Sequence, residues 1–311
     1  MKYNQLGKTG WAVSAIGYGA APLGGAYGSF DEAEAIRSIQ TALDLGVNFF
    51  DVSPYYGLTR AETLLGQAFK GIARDRFYLA TKVGRYGHTE KDFDFSTARV
   101  TRSVEESLQR LGVSHLDLIQ CHDIEFASLR QVIDEAIPAL EKLKAQGKVR
   151  AIGITGLPLK IFRVVLAETS VDAILSYCHH CLNDTSLRSL IPMLKIKSVG
   201  IINASPFAMS LLTERGPSAW HPASAEIKSA CARAVVHAKA MGFEIGQIAL
   251  PFALDHPDLA TTFVGMPTVS NVRSNLRWME EPVNHELLAE VREILRPIQD
   301  HTWASGRAEN N

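Results

Sequence analysis

The sequence predicts a single (β/α)8 TIM barrel spanning residues 1–311, with an N-terminal β-hairpin and a C-terminal tail. Apolar runs of strand length alternate eight times with segments of helical period. No linker rich in proline, glycine or serine interrupts the alternation. Parallel strands need long crossovers, and eight strand–helix units close most economically into one barrel, so one domain is predicted instead of two.

The predicted elements follow one another in a regular order. A hairpin is expected over residues 3–13. The eight predicted strands lie near residues 15–18, 47–50, 77–80, 116–119, 151–154, 172–175, 199–202 and 261–264. The helices that follow them are predicted over residues 31–45, 60–69, 96–111, 128–146, 159–168, 185–197, 223–241 and 270–279. From residue 296 onward the chain is polar, and an irregular tail is expected.

Capping residues support several of these helix boundaries. Asp31 and Ser96 stand where an N-cap side chain is needed. Glycine tolerates positive φ, and it follows four of the predicted helices, at Gly46, Gly112, Gly147 and Gly242.

The composition favours a folded protein that binds a small molecule. The chain has 32 Lys and Arg residues against 33 Asp and Glu residues, a formal charge of −1, and a hydrophobic fraction of 46%. Such a chain can bury a large core. The balanced charge offers no attraction for nucleic acid or an anionic membrane, so neither is an expected partner. The uncharged stretch 9–30 contains Pro22 and six glycines, which is typical of loops and not of a membrane span.

The N-terminus and the cysteines indicate a cytoplasmic protein. The first five residues lack the apolar segment of a signal peptide. Four cysteines are too few for a disulfide scaffold in a chain of this size, so Cys121, Cys178, Cys181 and Cys231 are expected to be thiols.

Four polar residues that follow three consecutive predicted strands are the candidate catalytic set. Asp51 follows the second strand, Lys82 the third and His122 the fourth, and Tyr56 lies five residues beyond Asp51. The active site of this fold is built at the C-terminal ends of the strands. A phenol has a pKa of about 10, so we expect the Lys82 ammonium to lower the pKa of Tyr56 and Asp51 to hold Lys82 in place. His122 is expected to donate a hydrogen bond to the substrate oxygen.

Each of the four residues also has an ordinary structural explanation. Asp51 is compatible with a capping carboxylate, Tyr56 with a packed rim aromatic, and Lys82 with a solvated charge. His122 is compatible with a hydrogen-bonded loop histidine. The four complementary groups together favour a catalytic set, because a barrel brings adjacent strand ends into contact.

The segments around these residues resemble the aldo-keto reductase superfamily, and the resemblance spans nearly the whole chain. It rests on Asn-Phe-Phe-Asp-Val-Ser-Pro-Tyr-Tyr-Gly at 48–57, Cys-His-Asp-Ile-Glu-Phe at 121–126 and Gly-Ile-Thr-Gly-Leu-Pro-Leu at 153–159. Segments 174–180, 204–209 and 220–224 are similar to the L-galactose-oxidising branch of that superfamily. The resemblance implies that Asp51, Tyr56, Lys82 and His122 are the catalytic tetrad, in a barrel that binds NAD(P) without a Rossmann domain.

The resemblance also implies where the cofactor contacts lie. The implied residues are Gly19, Ala20, Asp51, Thr155, Ser176, Ser205, Pro206, Phe207, Gly265, Met266, Asn271, Ser274 and Asn275. The sequence departs from the family pattern at three places. Thr155-Gly156 replaces a Ser-Asn pair, Ser176 replaces a glutamine, and Ala204 replaces the aromatic residue that stacks on nicotinamide.

The expected cofactor is NAD, with NADP less favoured. Relatives that use NADP hold its 2′-phosphate with basic residues near the position of Asn271, and residues 265–272 contain no Lys or Arg. Arg273 is the one basic residue nearby. A phosphate dianion without a guanidinium partner is poorly bound.

The resemblance implies that the substrate is a free sugar, and no metal is expected. The candidate substrate-binding residues are Tyr55, Tyr56, Phe126, His122, His179 and Trp303. The run Cys178-His179-His180-Cys181 has metal-ligand residue types, but neighbouring side chains in a strand point to opposite faces.

The resemblance implies NAD-dependent oxidation of the anomeric hydroxyl of an aldose, first L-galactose, to a lactone. The alternatives are an NADPH-dependent carbonyl reductase, a dehydrogenase of L-fucose or D-arabinose, and a nicotinamide-binding regulatory subunit without turnover. A monomer or a weak homodimer is expected.

Overall fold

A two-stranded antiparallel hairpin precedes a closed barrel of eight parallel strands in the computed structural model, which describes residues 1–311. The hairpin strands are β1 (Tyr3–Gln5) and β2 (Ala12–Ser14). The barrel strands are β3 (Ile16–Gly19), β4 (Phe49–Asp51), β5 (Tyr78–Val83), β6 (Leu116–Cys121), β7 (Val149–Gly156), β8 (Ala173–Tyr177), β9 (Gly200–Ala204) and β10 (Thr261–Gly265). Each strand pairs with the next along the chain, and β10 pairs with β3. The predicted fold class is confirmed.

The helices cover the outside of the barrel. They are α1 (Glu32–Asp44), α2 (Arg60–Ala68), α3 (Thr97–Leu111), α4 (Leu129–Gln131), α5 (Ile137–Ala145), α6 (Leu159–Glu168), α7 (Ile191–Ile196), α8 (Ala225–Ala240), α9 (Gly246–Leu254), α10 (Val269–Glu280) and α11 (His285–Leu295). No helix combines the length and the apolar character needed to cross a membrane.

The predicted caps have the expected geometry. The Asp31 carboxylate accepts a hydrogen bond from the backbone N–H of Glu34 at 2.6 Å, and Ser96 caps α3 in the same way. The four predicted glycines all have positive φ, between 66° and 94°. These interactions set the ends of α1 and α3 as the sequence indicated.

Two predicted helices are interrupted beside a proline. The segment predicted over 128–146 contains a π-helical stretch, Val132–Ala136, between α4 and α5. The segment predicted over 185–197 is α-helical only in α7, after the 3-10 helix Ser186–Leu190. Pro138 and Pro192 stand in the first turn of α5 and α7, and a proline has no N–H to continue an α-helical ladder from the preceding turn.

Two helices, α9 and α11, were not predicted. The sequence of α9, Gly-Gln-Ile-Ala-Leu-Pro-Phe-Ala-Leu, is apolar on nearly every side and contains Pro251, so it shows no amphipathic period. Helix α11 packs against α8, and the Asn284 side chain caps its N-terminus by accepting from the N–H of Leu287.

The tail after α11 is largely irregular, with 3-10 turns at Arg296–Ile298 and Ala308–Asn310. It packs against the 3-10 turn Ile124–Phe126 that follows β6. The backbone N–H of Arg307 and the side-chain amide of Asn310 both donate to the carbonyl oxygen of Glu125, at 2.9 and 2.8 Å. The tail therefore lies over the C-terminal mouth of the barrel.

The interior of the barrel is apolar at one end and polar at the other. Leu6, Trp11 and Val13 of the hairpin segment belong to one buried cluster with Phe49 and Phe263 of the barrel strands. This cluster closes the N-terminal end of the barrel. The polar side chains that line the cavity, such as Asp51 and Lys82, lie at the opposite, C-terminal end of the barrel.

Gly84, the residue after β5, provides a test of the turn that leads out of the barrel. Its φ is +96°, and a Cβ there would lie 2.1 Å from the Phe95 ring. Gly112 has φ +66° with open space around it and is a matched control. We expect Gly112→Ala to lower the free energy of unfolding by roughly 1–2 kcal/mol, from backbone strain alone. Gly84→Ala should lower it by roughly 2–5 kcal/mol, because overpacking adds to the strain.

Urea denaturation followed by circular dichroism measures both variants. Equal losses of stability would contradict a steric role for the contact between Gly84 and Phe95.

Candidate active site

The four predicted catalytic residues meet in one cavity at the C-terminal mouth of the barrel. Asp51 ends β4, Lys82 is the fifth residue of β5, and His122 follows β6. Tyr56 lies in the loop after β4. The cavity has a volume of about 1450 Å³, and all four side chains line it.

Lys82 is the centre of the polar cluster. Its Nζ donates to Asp51 Oδ2 at 2.5 Å, to the carbonyl oxygen of Val52 at 2.9 Å and to Tyr56 Oη at 3.2 Å. The residue is only 1% exposed. An ammonium has three protons to donate, so every donor of this buried cation is used. One of the three points at the phenol oxygen.

Asp51 is held from both sides. Its second oxygen accepts from Gln120 Nε2 at 2.9 Å, and burial raises its pKa while the Lys82 ammonium and Gln120 oppose that rise. Gln120 was not among the predicted site residues. Its signal in the sequence is a polar residue inside an apolar strand, two positions before His122 and so on the same face.

The pKa of Tyr56 is shifted upward, and the predicted downward shift is wrong. Burial raises its pKa well above 10, and the Asp51 and Asp123 carboxylates raise it further. Arg85 opposes the rise. The positive charge of Lys82 is neutralised by Asp51 at 2.5 Å, so little of it remains to stabilise a phenolate. At neutral pH the phenol carries its proton.

His122 is neutral, and its surroundings favour one tautomer. Burial is the main cause that lowers its pKa to about 3. Its Nδ1 lies 2.9 Å from Ser53 Oγ, which also accepts a hydrogen bond from the backbone N–H of Tyr55. The Ser53 hydroxyl can donate its proton to Nδ1, and the Asp123 carboxylate 3.6 Å from Nε2 favours the tautomer with the ring proton on Nε2. The imidazole therefore has a donor available for the cavity.

A second charged pair lies beside His122. Arg85 Nη1 donates to Asp123 Oδ2 at 2.5 Å, and that oxygen is 3.6 Å from His122 Nε2. Both side chains line the cavity, and the Arg85 guanidinium lies 3.7 Å from the centre of the Tyr55 ring. Neither residue was predicted. Their positions in the sequence could have pointed to them, because Asp123 directly follows His122 and Arg85 lies three residues after Lys82.

Most of the residues implied as cofactor contacts line the cavity, and four do not. The lining residues are Gly19, Asp51, Thr155, Ser205, Pro206, Phe207, Gly265, Asn271 and Asn275. Ala20, Ser176 and Met266 are buried outside the lining, and Ser274 also lies outside it. The hydroxyl of Thr155 is engaged by Asp123, whose backbone N–H donates to it at 2.9 Å.

The cavity is larger than a usual pocket for one small molecule. Small-molecule pockets usually have volumes of about 300–1,000 Å³, and this one is larger. Gly19 and Gly265 face each other across the β3–β10 pair and present backbone to the cavity. A Cβ at Gly265 would come within 2.7 Å of Pro22. Ser205 has positive φ, as do Ala208, Met209 and Ser210, which turns the loop after β9 sharply at the rim.

Two loops meet above this part of the cavity. Trp220 Nε1 donates to the carbonyl oxygen of Ala26 at 3.2 Å, and Arg215 donates to the carbonyl oxygen of Tyr27. The Tyr27 and Trp220 rings pack edge to face, with centroids 5.7 Å apart. The loops after β3 and β9 thus form a roof over one side of the mouth.

Among the predicted substrate residues, His179 does not reach the cavity, so that prediction is wrong. Its Nδ1 lies 3.0 Å from Asp184 Oδ2 and 2.9 Å from Ser186 Oγ. Cys178 has φ +64°, which turns the chain away from the strand direction and directs His179 into its own loop. Tyr55, Tyr56, His122, Phe126 and Trp303 all line the cavity.

The cysteine-histidine run does not form a chelating cluster. Cys178, Cys181 and the other two cysteines are buried free thiols, and no group of three or more His, Cys, Asp or Glu side chains is arranged to hold a metal ion.

Comparison with known proteins agrees with this geometry. The sequence model of the Aldo/keto reductase family matches residues 15–296. The chain is 49% identical to L-galactose dehydrogenase of Arabidopsis thaliana, over 98% of each protein. It is 34% identical to D-arabinose 1-dehydrogenase of Saccharomyces cerevisiae, over 78% of this chain and 76% of that protein. An aldo-keto reductase of Bacillus halodurans, solved in its holo form, superimposes with a TM-score of 0.79 at 26% identity, over 98% of each chain.

The chain belongs to the aldo/keto reductase family. It is an oxidoreductase that uses a nicotinamide dinucleotide, and the predicted enzyme class is confirmed.

The tautomer of His122 can be observed directly. In protein labelled with 15N-histidine, we expect the His122 ring to carry its proton on Nε2 and to show no titration between pH 5 and pH 9. The reason is that burial keeps the ring neutral, that the Asp123 carboxylate near Nε2 favours a proton there, and that Ser53 can then donate to Nδ1. Ser53→Ala should remove the bias toward the Nε2–H form. A titration midpoint near 6.5, or an Nδ1–H ring in the unchanged protein, would contradict the assignment.

Proposed function

We propose that this protein oxidises the anomeric C1 hydroxyl of a free aldose to the sugar lactone, with L-galactose as the first candidate substrate and NAD as the cofactor. The observation that carries the proposal is the hydrogen-bonded chain from Asp51 through Lys82 to Tyr56, with the neutral His122 ring 5.7 Å from the Tyr56 ring in the same cavity. The 49% identity to the Arabidopsis L-galactose dehydrogenase supports the choice of sugar. The relatives named for D-arabinose and D-threo-aldose oxidation support the wider class.

In the proposed mechanism, Tyr56 and His122 handle the C1 oxygen. His122 Nε2–H donates a hydrogen bond to that oxygen and orients it. In the oxidation direction, Tyr56 first loses its own proton to solvent and then accepts the C1 hydroxyl proton at Oη as the carbonyl forms, while Lys82 holds the phenol oxygen in position. When bound in the cavity, the nicotinamide would supply the acceptor for the hydride that leaves C1. Asp51 holds Lys82, so the proton acceptor keeps one location.

The raised pKa of Tyr56 gives the two directions of the reaction different pH dependence. A protonated phenol is ready to donate a proton, as reduction of a carbonyl requires. Oxidation requires a phenol that has lost its proton, and the deprotonated fraction of Tyr56 grows as the pH rises. We therefore propose that sugar oxidation is fastest on the alkaline side of neutrality.

The surroundings of Asn271 support NAD over NADP. Asn271 is exposed, and its Oδ1 accepts from the Thr268 hydroxyl at 2.8 Å. The Glu34 carboxylate accepts from the N–H of Val269 at 2.9 Å, which places a negative charge at the N-terminus of α10. A carboxylate there repels a 2′-phosphate and occupies a donor that the phosphate would use. Arg273 is exposed and does not line the cavity.

The four buried thiols support a cytoplasmic location. Disulfides are rare in reducing compartments, and none of the cysteines is paired here.

Substitution of Tyr56 tests the mechanism. Tyr56→Phe removes the hydroxyl, and we expect kcat for L-galactose oxidation to fall by about 100- to 10,000-fold, the usual contribution of a general acid or base. Dinucleotide binding, followed by quenching of protein fluorescence, should change by less than about threefold. In the unchanged enzyme, kcat/KM should rise with pH between 6 and 9, by up to about tenfold per unit, because the pKa of Tyr56 lies above this range. An unchanged kcat in Tyr56→Phe, or a flat pH profile, would sink the assignment.

Cofactor preference is tested with the two dinucleotides. We expect kcat/KM with NAD to exceed that with NADP at least tenfold. Asn271→Arg should narrow the difference by supplying a guanidinium for the 2′-phosphate. Arg273→Ala is the control and should leave the ratio unchanged within about threefold. A higher kcat/KM with NADP in the unchanged enzyme would overturn the proposal.

A further inference from the structure

We propose that the Arg85–Asp123 pair recognises the sugar hydroxyls next to C1 and so selects polyhydroxylated aldoses over simple hemiacetals. This inference rests on the proposed function, since it concerns how the same cavity chooses its substrate.

The location of the pair matches the hydroxyl that neighbours the reacting carbon. Asp123 Oδ2 lies 3.6 Å from His122 Nε2, the atom assigned to the C1 oxygen. Adjacent hydroxyls of a sugar ring lie within hydrogen-bond distance of each other. A sugar whose C1 oxygen contacts His122 can therefore place its C2 hydroxyl against the Asp123 carboxylate.

The chemistry of the pair is suited to hydroxyl groups. A carboxylate accepts hydrogen bonds, a guanidinium donates them, and a hydroxyl does both. Arg85 uses Nη1 on Asp123, and its buried Nε has no hydrogen-bond partner in the protein. The faces of Tyr55 and Phe126 lie close to the same guanidinium, at 3.7 and 5.5 Å from the ring centres. The subsite thus combines polar groups with aromatic surface for the C–H groups of a sugar.

Asp123 is held rigidly, as a specificity residue needs to be. Its φ is +48°, a left-handed conformation that Asp tolerates better than most residues. Thr155 Oγ1 accepts its backbone N–H at 2.9 Å, and the Thr155 hydroxyl lies 3.4 Å from Oδ1. Although burial opposes its charge, the Arg85 guanidinium holds the pKa of Asp123 below the usual value, so the carboxylate stays ionised.

A site with buried polar groups discriminates strongly against analogues that lack the matching hydroxyl. Such analogues leave the carboxylate and the guanidinium without their partners inside the cavity. An apolar cavity of the same size would not make this distinction. The pair therefore gives the enzyme a physical reason to prefer sugars.

The test compares two substrates that undergo the same C1 chemistry. L-Galactose carries the full set of hydroxyls, and tetrahydropyran-2-ol is a six-membered ring hemiacetal with a hydroxyl only at the reacting carbon. Asp123→Asn keeps the size of the side chain and tolerates the left-handed backbone. We expect it to lower the ratio of kcat/KM for L-galactose to kcat/KM for tetrahydropyran-2-ol at least 30-fold, measured by NADH formation at one pH, because the effect of Asp123 on the pKa of Tyr56 acts on both substrates alike. Arg85→Lys should lower the same ratio about fivefold or more.

Glu214→Gln is the matched control. Glu214 is another carboxylate at the rim of the cavity, and it is paired with Lys239 at 2.8 Å. Glu214→Gln removes the same charge, and it should change kcat/KM for either substrate by no more than about threefold. Circular dichroism and thermal unfolding of all three variants check that the fold is retained.

The outcomes separate this inference from the proposed function. An equal loss on both substrates in Asp123→Asn would overturn the inference, because it would assign Asp123 to His122 or to the local fold. An unchanged preference for the sugar would also overturn it. If the unchanged enzyme reduces simple aldehydes but oxidises no aldose, the proposed function itself fails.

Discussion

The arrangement of the active site depends on one buried ion pair, Lys82 with Asp51. The two residues come from adjacent strands, and the register that pairs Asp51 with Ala80 places Lys82 two positions further on the same face. Removing one partner of such a pair usually costs about 3–5 kcal/mol, because the other charge is left buried and unpaired. The Lys82 ammonium also donates one proton to the Tyr56 oxygen, so the position of the ion pair sets the position of that oxygen.

This buried pair is compatible with a stable barrel because the two ends of the interior are chemically separate. The N-terminal hairpin closes one end with apolar side chains such as Trp11, which stacks on Tyr78 with ring centroids 5.2 Å apart. Stability is thus supplied mainly by the closed end and by the helices outside. The open end can hold charged groups, an orphaned Gln120 oxygen and residues of positive φ, all of which are unfavourable for folding and useful for binding.

The sequence was sufficient for features that leave a local signal. Apolar runs located all eight barrel strands, and the polar residue after a run located Asp51, Lys82 and His122. Features that depend on distant contacts were not predictable in this way. The pKa of Tyr56 rises because the fold buries the phenol beside carboxylates. His179 lies outside the cavity because Cys178, the residue before it, has positive φ. Helix α9 is apolar on nearly every side, so its sequence lacks the alternation of apolar and polar residues by which an amphipathic helix is predicted.

The pairing of β10 with β3 joins the first and last strands of the barrel, and it is also where Gly19 meets Gly265 at the cavity wall. Joining segments so far apart in the chain carries a large cost in loop-closure entropy. A molecule bound against both glycines binds only the closed form, and it therefore stabilises the native state by mass action. A dinucleotide bound where β10 meets β3 would therefore raise the free energy of unfolding as its concentration rises.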